Sequence, residues 1–593
     1  MITEQVAGRP EQPQPTTRVS RLQLAVIGAV VVLAAGIGLV LGLTVLSGRG
    51  ATALGPSAAY VPSDAVLYME ARLDLPAGQR ESLRAILERF PSVDPDAVLG
   101  EALADTLDDA LATALGPVAS IAYSTDVAPW FDGRVAISLL DYPVGADPMS
   151  MTVPSTAALF GVRDVAAAGG FADTLRDAIT SSGATLSPSD HGGVTIWSLD
   201  LDASMFGSMG GMGFAYALTD DQLLLANGRE TVEALLDVHA GAGDSLAQRD
   251  ELGDLSEHLP ADWAGVMTLD LAAMLEETRA QLEAASPEMA QALSAYLDAI
   301  PSFVVTTVGF ENDAVRFDGV STMPGGDLTP SNGNRALAAS VPGDALFFAD
   351  GPNVGAGLVQ AITGIRATLA AAPDSEMMNQ QLEQVEAALG ADIDDFVSWI
   401  GSGAMAAGWD GEPWFGLVLE ASDPVVAAQR LGQLRALVEL AAMDPSTQVE
   451  VSTEDVGGVE VTTISMAAEL GGGAEPFVVP AVQYALDGGT AYIGFGDRFV
   501  EAALGMEAGA SLAESERFTS AVDRFGGADN AGAFYLDLAA LRVAVEGSVP
   551  DIHATPVYET EIRPNLTPLD YLAGVTRVEG DEVVSRFGLV LTP

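Results

Sequence analysis

The stretch that decides the fold is YVPSDAVLYMEARLDLPAGQRESLRAILERFP, Tyr60–Pro91. Residues 65–71 (AVLYMEA) alternate in polarity and are rich in strand-forming side chains, which predicts a β-strand. Leu83, Ile86 and Leu87 then recur at the spacing of one helical face. The folded part of the chain is therefore expected to open with a strand that leads into an amphipathic helix.

The opening pattern returns in the second half of the chain. Ser340–Phe348 (SVPGDALFF) repeats the pattern of Tyr60–Tyr68 (YVPSDAVLY). Phe214–Gly228 (FAYALTDDQLLLANG) is echoed by Gln483–Gly496 (QYALDGGTAYIGFG), and both read as strand, turn and strand. Because the order and type of the elements agree, the sequence predicts a tandem duplication.

The first copy is expected over 58–323 and the second over 335–593. Residues 324–334 (PGGDLTPSNGN) have the composition of a linker. Strands joined by tight turns, with helices between pairs of strands, are typical of an α+β fold built on antiparallel sheet.

Four finer expectations concern single elements. A second helix is predicted over Val98–Leu115 and a strand over Val118–Ser124 in the first copy. Asp270 and Asp537 each end a strand, where an aspartate can cap the helix that follows.

An apolar segment precedes the folded part. Leu24–Leu46 (LAVIGAVVVLAAGIGLVLGLTVL) contains no charged residue and is about long enough to cross the ~30 Å core of a bilayer as a helix. The alternative is a cleaved signal peptide, whose apolar core usually runs about 7–15 residues. The greater length favours a retained transmembrane helix, which makes the lipid bilayer the first predicted partner.

The flanks of the apolar segment predict its orientation. Residues 1–23 are rich in Pro, Gln and Thr and are expected to form a disordered cytoplasmic tail, while 47–57 form a linker. The positive-inside bias keeps three arginines of the tail in the cytoplasm: Arg9, Arg18 and Arg21. The sequence therefore predicts a single-pass protein of the cell membrane whose C-terminal region is extracytoplasmic.

Composition excludes several kinds of chemistry. The chain has no cysteine, and its 26 basic residues are all arginine, so thiolate and lysine chemistry are excluded. The 82 acidic residues give a formal charge of −56, which repels nucleic acid. Most of these acids are expected to form a solvated coat on the surface.

No motif assigns catalytic, cofactor-binding or metal-binding residues. The four histidines, His191, His239, His258 and His553, do not occur in zinc-binding spacings, and no nucleophile elbow or phosphate-binding loop is present. We therefore expect no cofactor and no metal site. A pair of dispersed carboxylates of the kind that glycosidases use remains open. Trp130 and Trp414 lie in similar contexts, PWFDG and PWFGL, and core packing is their simplest role.

The segment Ser204–Phe214 (SMFGSMGGMGF) is predicted to be a possible contact loop. Its glycines favour flexibility, and methionine adapts its shape to varied apolar surfaces. The side chains that would contact a partner, an apolar ligand or the membrane are Met205, Phe206, Met209, Met212 and Phe214. The alternative is a loop that folds its apolar groups onto its own domain.

An N-terminal anchor followed by the Tyr60–Pro91 pattern resembles the bacterial membrane-anchored proteins grouped as domain of unknown function 3352. The segment Trp130–Gly133 (WFDG) is similar to a tryptophan–glycine segment of that group. The resemblance implies an envelope location and bacterial origin, and it brings no established activity and no catalytic residues.

These observations favour a non-catalytic envelope protein that binds or scaffolds an envelope protein or another partner. Two alternatives are a carrier that holds a lipid or other apolar ligand between sheet and helices, and an extracytoplasmic hydrolase with dispersed carboxylates. A deep apolar cavity with few polar groups would favour the carrier, and clustered acids with a raised pKa in a cleft would favour the enzyme. A flat surface with neither feature would favour scaffolding.

Overall fold

A computed structural model describes the chain from Leu54 to Thr592 with gaps. The described ranges are 54–100, 102–115, 121–141, 154–181, 184–199, 213–325, 329–334, 336–370, 375–443, 449–468, 477–478, 481–496, 498–549 and 552–592. The predicted tail and the predicted membrane helix Leu24–Leu46 lie outside them. No described helix is both long and apolar enough to cross a membrane.

The elements of the first half follow the expected alternation of strands and helices. In chain order they are β1 Leu67–Arg72, α1 Ala77–Leu87, α2 Pro95–Leu99, α3 Ala102–Leu115, β2 Phe131–Leu139, β3 Thr156–Val162, α4 Val165–Ser181, β4 Ser187–His191, β5 Val194–Leu199, β6 Phe214–Leu218, β7 Gln222–Ala226, α5 Arg229–His239, α6 Asp250–Ser256, β8 Gly265–Asp270, α7 Ala272–Ala285, α8 Pro287–Asp298, β9 Phe303–Glu311 and β10 Ala314–Thr322.

The second half continues the numbering. Its elements are β11 Ala345–Gly351, α9 Val354–Ala370, α10 Ser375–Leu389, α11 Ile393–Val397, β12 Ile400–Trp409, β13 Pro413–Ala421, α12 Pro424–Ala442, β14 Val449–Val456, β15 Val459–Ala468, β16 Phe477–Val478, β17 Val482–Asp487, β18 Thr490–Phe495, α13 Phe499–Leu504, α14 Glu516–Phe525, β19 Gly532–Asp537, α15 Leu538–Ser548, α16 Arg563–Leu566, β20 Leu569–Glu579 and β21 Glu582–Leu591.

The described strands form one antiparallel sheet, which confirms the predicted α+β class. In the first half the order is β4-β5-β6-β7-β3-β2-β1-β8-β9-β10. In the second half it is β14-β15-β17-β18-β13-β12-β11-β19-β20-β21, with the short β16 also on β15. Each half thus has the same order of ten strands, and β10 pairs with β21 to join the halves.

The register of the final hairpins relates the two halves. Glu311 pairs with Ala314 in the first hairpin, and Glu579 pairs with Glu582 in the second. Each residue of the second pair lies 268 positions after its counterpart in the first pair (579 − 311 and 582 − 314). At the junction Asp318 pairs with Arg586, which is the residue 268 positions later. Corresponding strands therefore meet antiparallel at the centre of the sheet.

Directly paired residues of an antiparallel sheet point to the same face, so the register separates two faces. The first face, to which Leu159 and Val418 point, carries one large buried cluster in each half. Helices α5 and α6 cover the cluster of the first half, while α13 and α14 cover that of the second. On the second face, α4 and α12 cover smaller clusters near the two outer ends.

Both matched aspartates bind a backbone N–H at the start of the helix that follows. The Asp270 carboxylate accepts a hydrogen bond from the Ala272 backbone N–H at 2.9 Å, and Asp537 accepts one from Ala540 at 2.8 Å. Both aspartates also pair with an arginine, Arg249 in the first half and Arg517 in the second. Asp537 is the N-cap of α15, as predicted, whereas Asp270 lies one residue before Leu271, the N-cap of α7.

Two predictions for the first half are wrong in detail. The helix predicted over Val98–Leu115 is split into α2 and α3, because Gly100 adopts an extended conformation after the last turn of α2. Residues 116–120 are outside the described ranges, but Tyr123–Val127, within or next to the strand predicted over Val118–Ser124, forms a single π-helical turn. Its Ala128 N–H donates to the Tyr123 carbonyl at 2.7 Å, which closes that turn.

The two predicted linkers make ordered contacts where they are described. Leu54 and Ser57, within the linker 47–57, are buried against the first-face cluster of the first half. Within 324–334, Gly333 bridges to Asn530, and the Asn332 amide donates to the Val578 carbonyl at 2.8 Å. The described part of each linker therefore packs onto the sheet domain.

Candidate functional site

The predicted contact loop lies mostly outside the described residues, which exclude Met205, Phe206, Met209 and Met212. Phe214 is described as the first residue of β6 and is 6% exposed within an apolar cluster of the first half. Phe214 therefore packs into the fold and does not offer a contact surface.

The four histidines each lie beside a different partner. His191 Nε2 is 2.7 Å from Asp237, and His553 is hydrogen-bonded to Glu559. His239 stacks on Tyr60, while His258 lies between Glu579 and Glu582. Within the described ranges, no three His, Asp or Glu residues are grouped so as to hold a metal ion.

The matched tryptophans are core residues. Trp130 is 2% exposed and its indole N–H donates to the Asp126 carbonyl at 2.8 Å. Trp414 is 5% exposed and its ring lies 5.5 Å from that of Phe499. Neither presents a face to a ligand, so the packing role expected from the sequence is correct.

The middle of the second face carries side chains that belong to none of the buried clusters. We call this surface the central face, and it spans twelve neighbouring strands from β2 to β18, roughly 50 Å at ~4.8 Å per strand. Fourteen apolar residues define it: Leu67, Met69, Ile137, Met267, Leu269, Val304, Phe317, Phe587, Phe534, Phe347, Met405, Leu417, Phe415 and Phe495. The hydroxyl side chains of Thr306, Thr576 and Ser585 lie among them.

The central face is apolar and partly open. None of its fourteen residues is charged, and four are substantially exposed: Phe317 (38%), Met405 (45%), Phe415 (37%) and Phe495 (44%). Phe415 and Phe495 are direct cross-strand partners whose rings lie 5.5 Å apart. Met405, Phe415 and Phe495 lie on the neighbouring strands β12, β13 and β18, and such a group of large exposed apolar side chains is unusual on a protein that meets water alone.

A cleft of about 690 Å³ opens in the first half, between α4, the β4–β5 hairpin, the β6–β7 turn and the end of α5. Tyr60 lies at its base, with its ring stacked on that of His239 at 3.9 Å, and its hydroxyl lies 2.9 Å from Thr219. The same hydroxyl donates to Asp221. Arg176 lies 4.7 Å over the Trp197 ring and pairs with Asp173 at 2.8 Å.

The electrostatics of the cleft are acidic. Burial raises the pKa of the Tyr216 phenol to about 12, and burial together with the Asp221 hydrogen bond raises that of Tyr60, so both stay protonated. The Asp237 hydrogen bond raises the pKa of His191. The cleft lining contains four carboxylates against one guanidinium: Asp173, Asp220, Asp221, Asp237 and Arg176.

Three carboxyl groups with a raised pKa lie within the sheet and do not line this cleft. Burial raises the pKa of Glu70, Asp132 and Asp318. Glu70 is 2% exposed and accepts hydrogen bonds from the Tyr68 hydroxyl at 2.6 Å and the Gly55 N–H at 2.7 Å. Asp318 is held by Arg316 at 2.7 Å. These contacts tie Glu70 and Asp318 into the interior of the sheet.

The sequence profile of a family described as "Protein of unknown function (DUF3352)" matches residues 25–591. The chain belongs to this family. The resemblance that Tyr60–Pro91 and Trp130–Gly133 predict is therefore confirmed, and it extends over nearly the whole chain. A comparison with curated proteins gave no match.

Two solved structures align with part of this family member, crystal forms I and III of TP0453. Form I aligns with 9% identity over 46% of this chain and 80% of that chain, at a TM-score of 0.22. Form III aligns with 12% identity over 43% of this chain and 93% of that chain, at a TM-score of 0.19. TM-scores this low do not establish a shared fold.

Neither the central face nor the cleft was predicted from the sequence. A signal for the central face was present, because β13 (PWFGLVLEA) and β18 (TAYIGF) are apolar on both faces instead of alternating. The cleft had no such signal, because its residues come from five separate elements that only the fold brings together.

Proposed function

We propose that the chain is a non-catalytic binding protein of the cell envelope that holds a lipid on the central face. Leu24–Leu46 would anchor it in the membrane, with the folded part outside the cytoplasm. The observation that carries the proposal is the row of half-exposed apolar side chains across the middle of the second face.

The chemistry of the central face suits acyl chains. Complete burial of one Phe or Met side chain stabilises a complex by roughly 1.5–3 kcal/mol, so covering several half-exposed ones gives a substantial driving force. Met69, Met267 and Met405 add unbranched side chains that adapt to a flexible ligand. A ligand with long apolar chains would fit a surface that extends over many strands.

The charge of the protein and the position of the proposed anchor narrow the chemical class of the ligand. A bilayer beside the folded part would supply lipid directly to it. The net charge of −56 repels anionic headgroups, which favours a neutral or zwitterionic lipid. The alternative of a hydrolase gains no support from Glu70 and Asp318, because both carboxyl groups are buried inside the sheet.

The test is the lipid that co-purifies with the full chain after extraction in detergent. Lipid mass spectrometry should find a neutral or zwitterionic lipid at a fixed ratio to protein. The double variant Phe415→Glu, Phe495→Glu should lose it, because two carboxylates would then lie on the apolar face. Val425→Glu on α12, which is 77% exposed and outside the central face, should retain it. Equal lipid in both variants would contradict the proposal.

We also infer that the two halves, 58–323 and 335–593, are copies of one ancestral unit. The common order of ten strands supports this, as does the 268-residue shift of both final hairpins. Further support comes from two matched backbone hydrogen bonds. The Leu246 N–H donates to the Val61 carbonyl at 2.7 Å, and the Leu512 N–H donates to the Val341 carbonyl at 2.8 Å. Superposing the halves should bring all ten strand pairs together, and any strand in a different place would contradict the inference.

A further inference from the structure

We propose that the cleft of the first half is a separate binding site for a small organic cation with an apolar body. This site is distinct from the central face, and the proposal does not depend on lipid binding. It rests on the shape of the cleft, the side chains that line it and the residues at the corresponding place in the second half.

The charge of the cleft favours a ligand with a positive charge. Four carboxylates and one guanidinium give a formal charge of −3 with both histidines neutral. The guanidinium of Arg176 is already engaged by Asp173 at 2.8 Å and by the Trp197 ring. An anionic ligand would therefore meet repulsion, while an ammonium group would meet carboxylates at the β6–β7 turn, where Asp220 and Asp221 are exposed.

The hydrogen-bonding groups at this turn point to a donor on the ligand. Asp221 accepts from the Tyr60 hydroxyl, and a carboxylate has further acceptor positions beyond that bond. Asp220 brings a second carboxylate next to it. An ammonium group, which has donors and no acceptor, is complementary to both.

The walls of the cleft suit the apolar body of a small organic molecule. Trp197 and Tyr216 are direct cross-strand partners on the same side of β5 and β6, and Val165 and Leu218 add aliphatic surface. A volume of about 690 Å³ is within the range of sites for small molecules. Apolar walls with a few carboxylates at one end would orient an amphiphilic cation.

The second half lacks these groups at the corresponding place. The paired registers put Gly488 and Gly489 where Asp220 and Asp221 lie, and Thr462 where Trp197 lies. Each half has the same strands there, so the carboxylates and the tryptophan are not required to form this part of the sheet. The second half therefore provides an internal control.

The experiment is equilibrium dialysis of the full chain in zwitterionic nanodiscs, with empty nanodiscs as the blank. The probes are phenethylamine, its uncharged analogue 2-phenylethanol and the anion phenylacetate. We expect saturable one-to-one binding of phenethylamine, with the other two probes about tenfold weaker or more. Added salt should weaken the binding of phenethylamine, because exposed charges are screened.

Two variants decide where the probe binds. The double variant Asp220→Asn, Asp221→Asn keeps an acceptor for Tyr60 and should weaken phenethylamine binding about tenfold. Asp487→Asn, at the matched turn of the second half, should bind as the unmodified chain does. Equal affinity for phenethylamine and 2-phenylethanol, or equal affinity of the unmodified chain and both variants, would overturn the proposal.

Discussion

The two halves place ten strands in the same order, yet they fill corresponding places with different side chains. On the first face, β1 presents Tyr68 and Glu70, and β11 presents Phe348 and Asp350 at the same register. The first half thus buries a hydrogen-bonded polar pair where the second half buries an apolar ring. The strand order tolerates these exchanges because each is compensated by its immediate neighbours.

The compensation is also visible in side-chain size. Ala157 of β3 and Gly416 of β13 hold the same place in the sheet, as do Thr231 of α5 and Phe499 of α13 above them. A Cβ on Gly416 would lie 2.1 Å from the Phe499 ring, so the large ring requires the glycine. The halves therefore share an architecture, while their cores are packed independently.

The largest expected difference between the halves comes from Glu70→Ala. This change leaves two buried donors, the Tyr68 hydroxyl and the Gly55 N–H, without their acceptor. At roughly 1–3 kcal/mol for each buried unsatisfied group, we expect a loss of about 3 kcal/mol in the free energy of unfolding. Asp350→Ala, whose carboxylate accepts from the Ala533 N–H at 2.7 Å beside a phenylalanine, should cost about 1 kcal/mol. Urea denaturation of the full chain would measure the free energy of unfolding of both variants.

A further variant, Glu70→Gln, tests how the stability depends on pH. Because burial raises the pKa of Glu70, the folded form keeps its proton over a range in which the unfolded chain has lost it. Stability should therefore fall as pH rises from the ordinary glutamate value to the raised value. Glu70→Gln should flatten this part of the profile. An unchanged profile would contradict the assignment of the raised pKa.

The next largest effect is expected from Gly416→Ala. The added methyl group meets the ring of Phe499, which is 1% exposed, so overpacking should destabilise the fold by about 1–3 kcal/mol. The matched change Ala157→Gly removes a methyl group and should cost about 1 kcal/mol. The decisive measurement is a double-mutant cycle with Phe499→Thr, which brings in the first-half residue. Strictly additive effects of Gly416→Ala and Phe499→Thr would show that the two residues are not coupled.

Local sequence patterns predicted the strands and the order of elements well. The strand expected over residues 65–71 is β1, Leu67–Arg72, and Asp537 caps the helix that follows it, as expected. The split between α2 and α3 was missed, because a lone glycine such as Gly100 is compatible with a helix and tertiary contacts decide the outcome. The apolar β13 and β18 signalled part of the central face, but its extent depends on the register of strands far apart in the chain. The cleft could not be predicted, because only the fold brings its residues together.

The smallest effect concerns two related contacts, each of two ion pairs, that cross the junction between β10 and β21. Arg524 of the second half lies 2.6 Å from Glu311 and 2.8 Å from Asp313. At the corresponding place, His258 of the first half lies 3.1 Å from Glu579 and 2.7 Å from Glu582. One of the two related contacts therefore uses a guanidinium, which stays charged, and the other uses an imidazole, which is charged only when protonated.

Exchanging these residues one at a time tests whether the contacts are equivalent. His258→Arg should stabilise the full chain by several tenths of a kcal/mol at pH 8, because a guanidinium is always charged and has enough donors to bond both Glu579 and Glu582. Arg524→His should destabilise it by a similar amount at pH 8.

The acid limb of the stability profile, which is the loss of stability at low pH, distinguishes the two contacts. The Arg524 hydrogen bond lowers the pKa of Asp313, so this carboxylate contributes stability that is complete above its unfolded pKa and is lost as pH falls through its lowered folded pKa. Arg524→Ala should remove that contribution and leave a shallower loss of stability below about pH 4. His258→Ala, which does not touch Asp313, should leave the contribution of Asp313 to the acid limb unchanged. Thermal denaturation of both variants from pH 2.5 to 8 would measure this difference, and identical acid limbs would show that Asp313 gains nothing from Arg524.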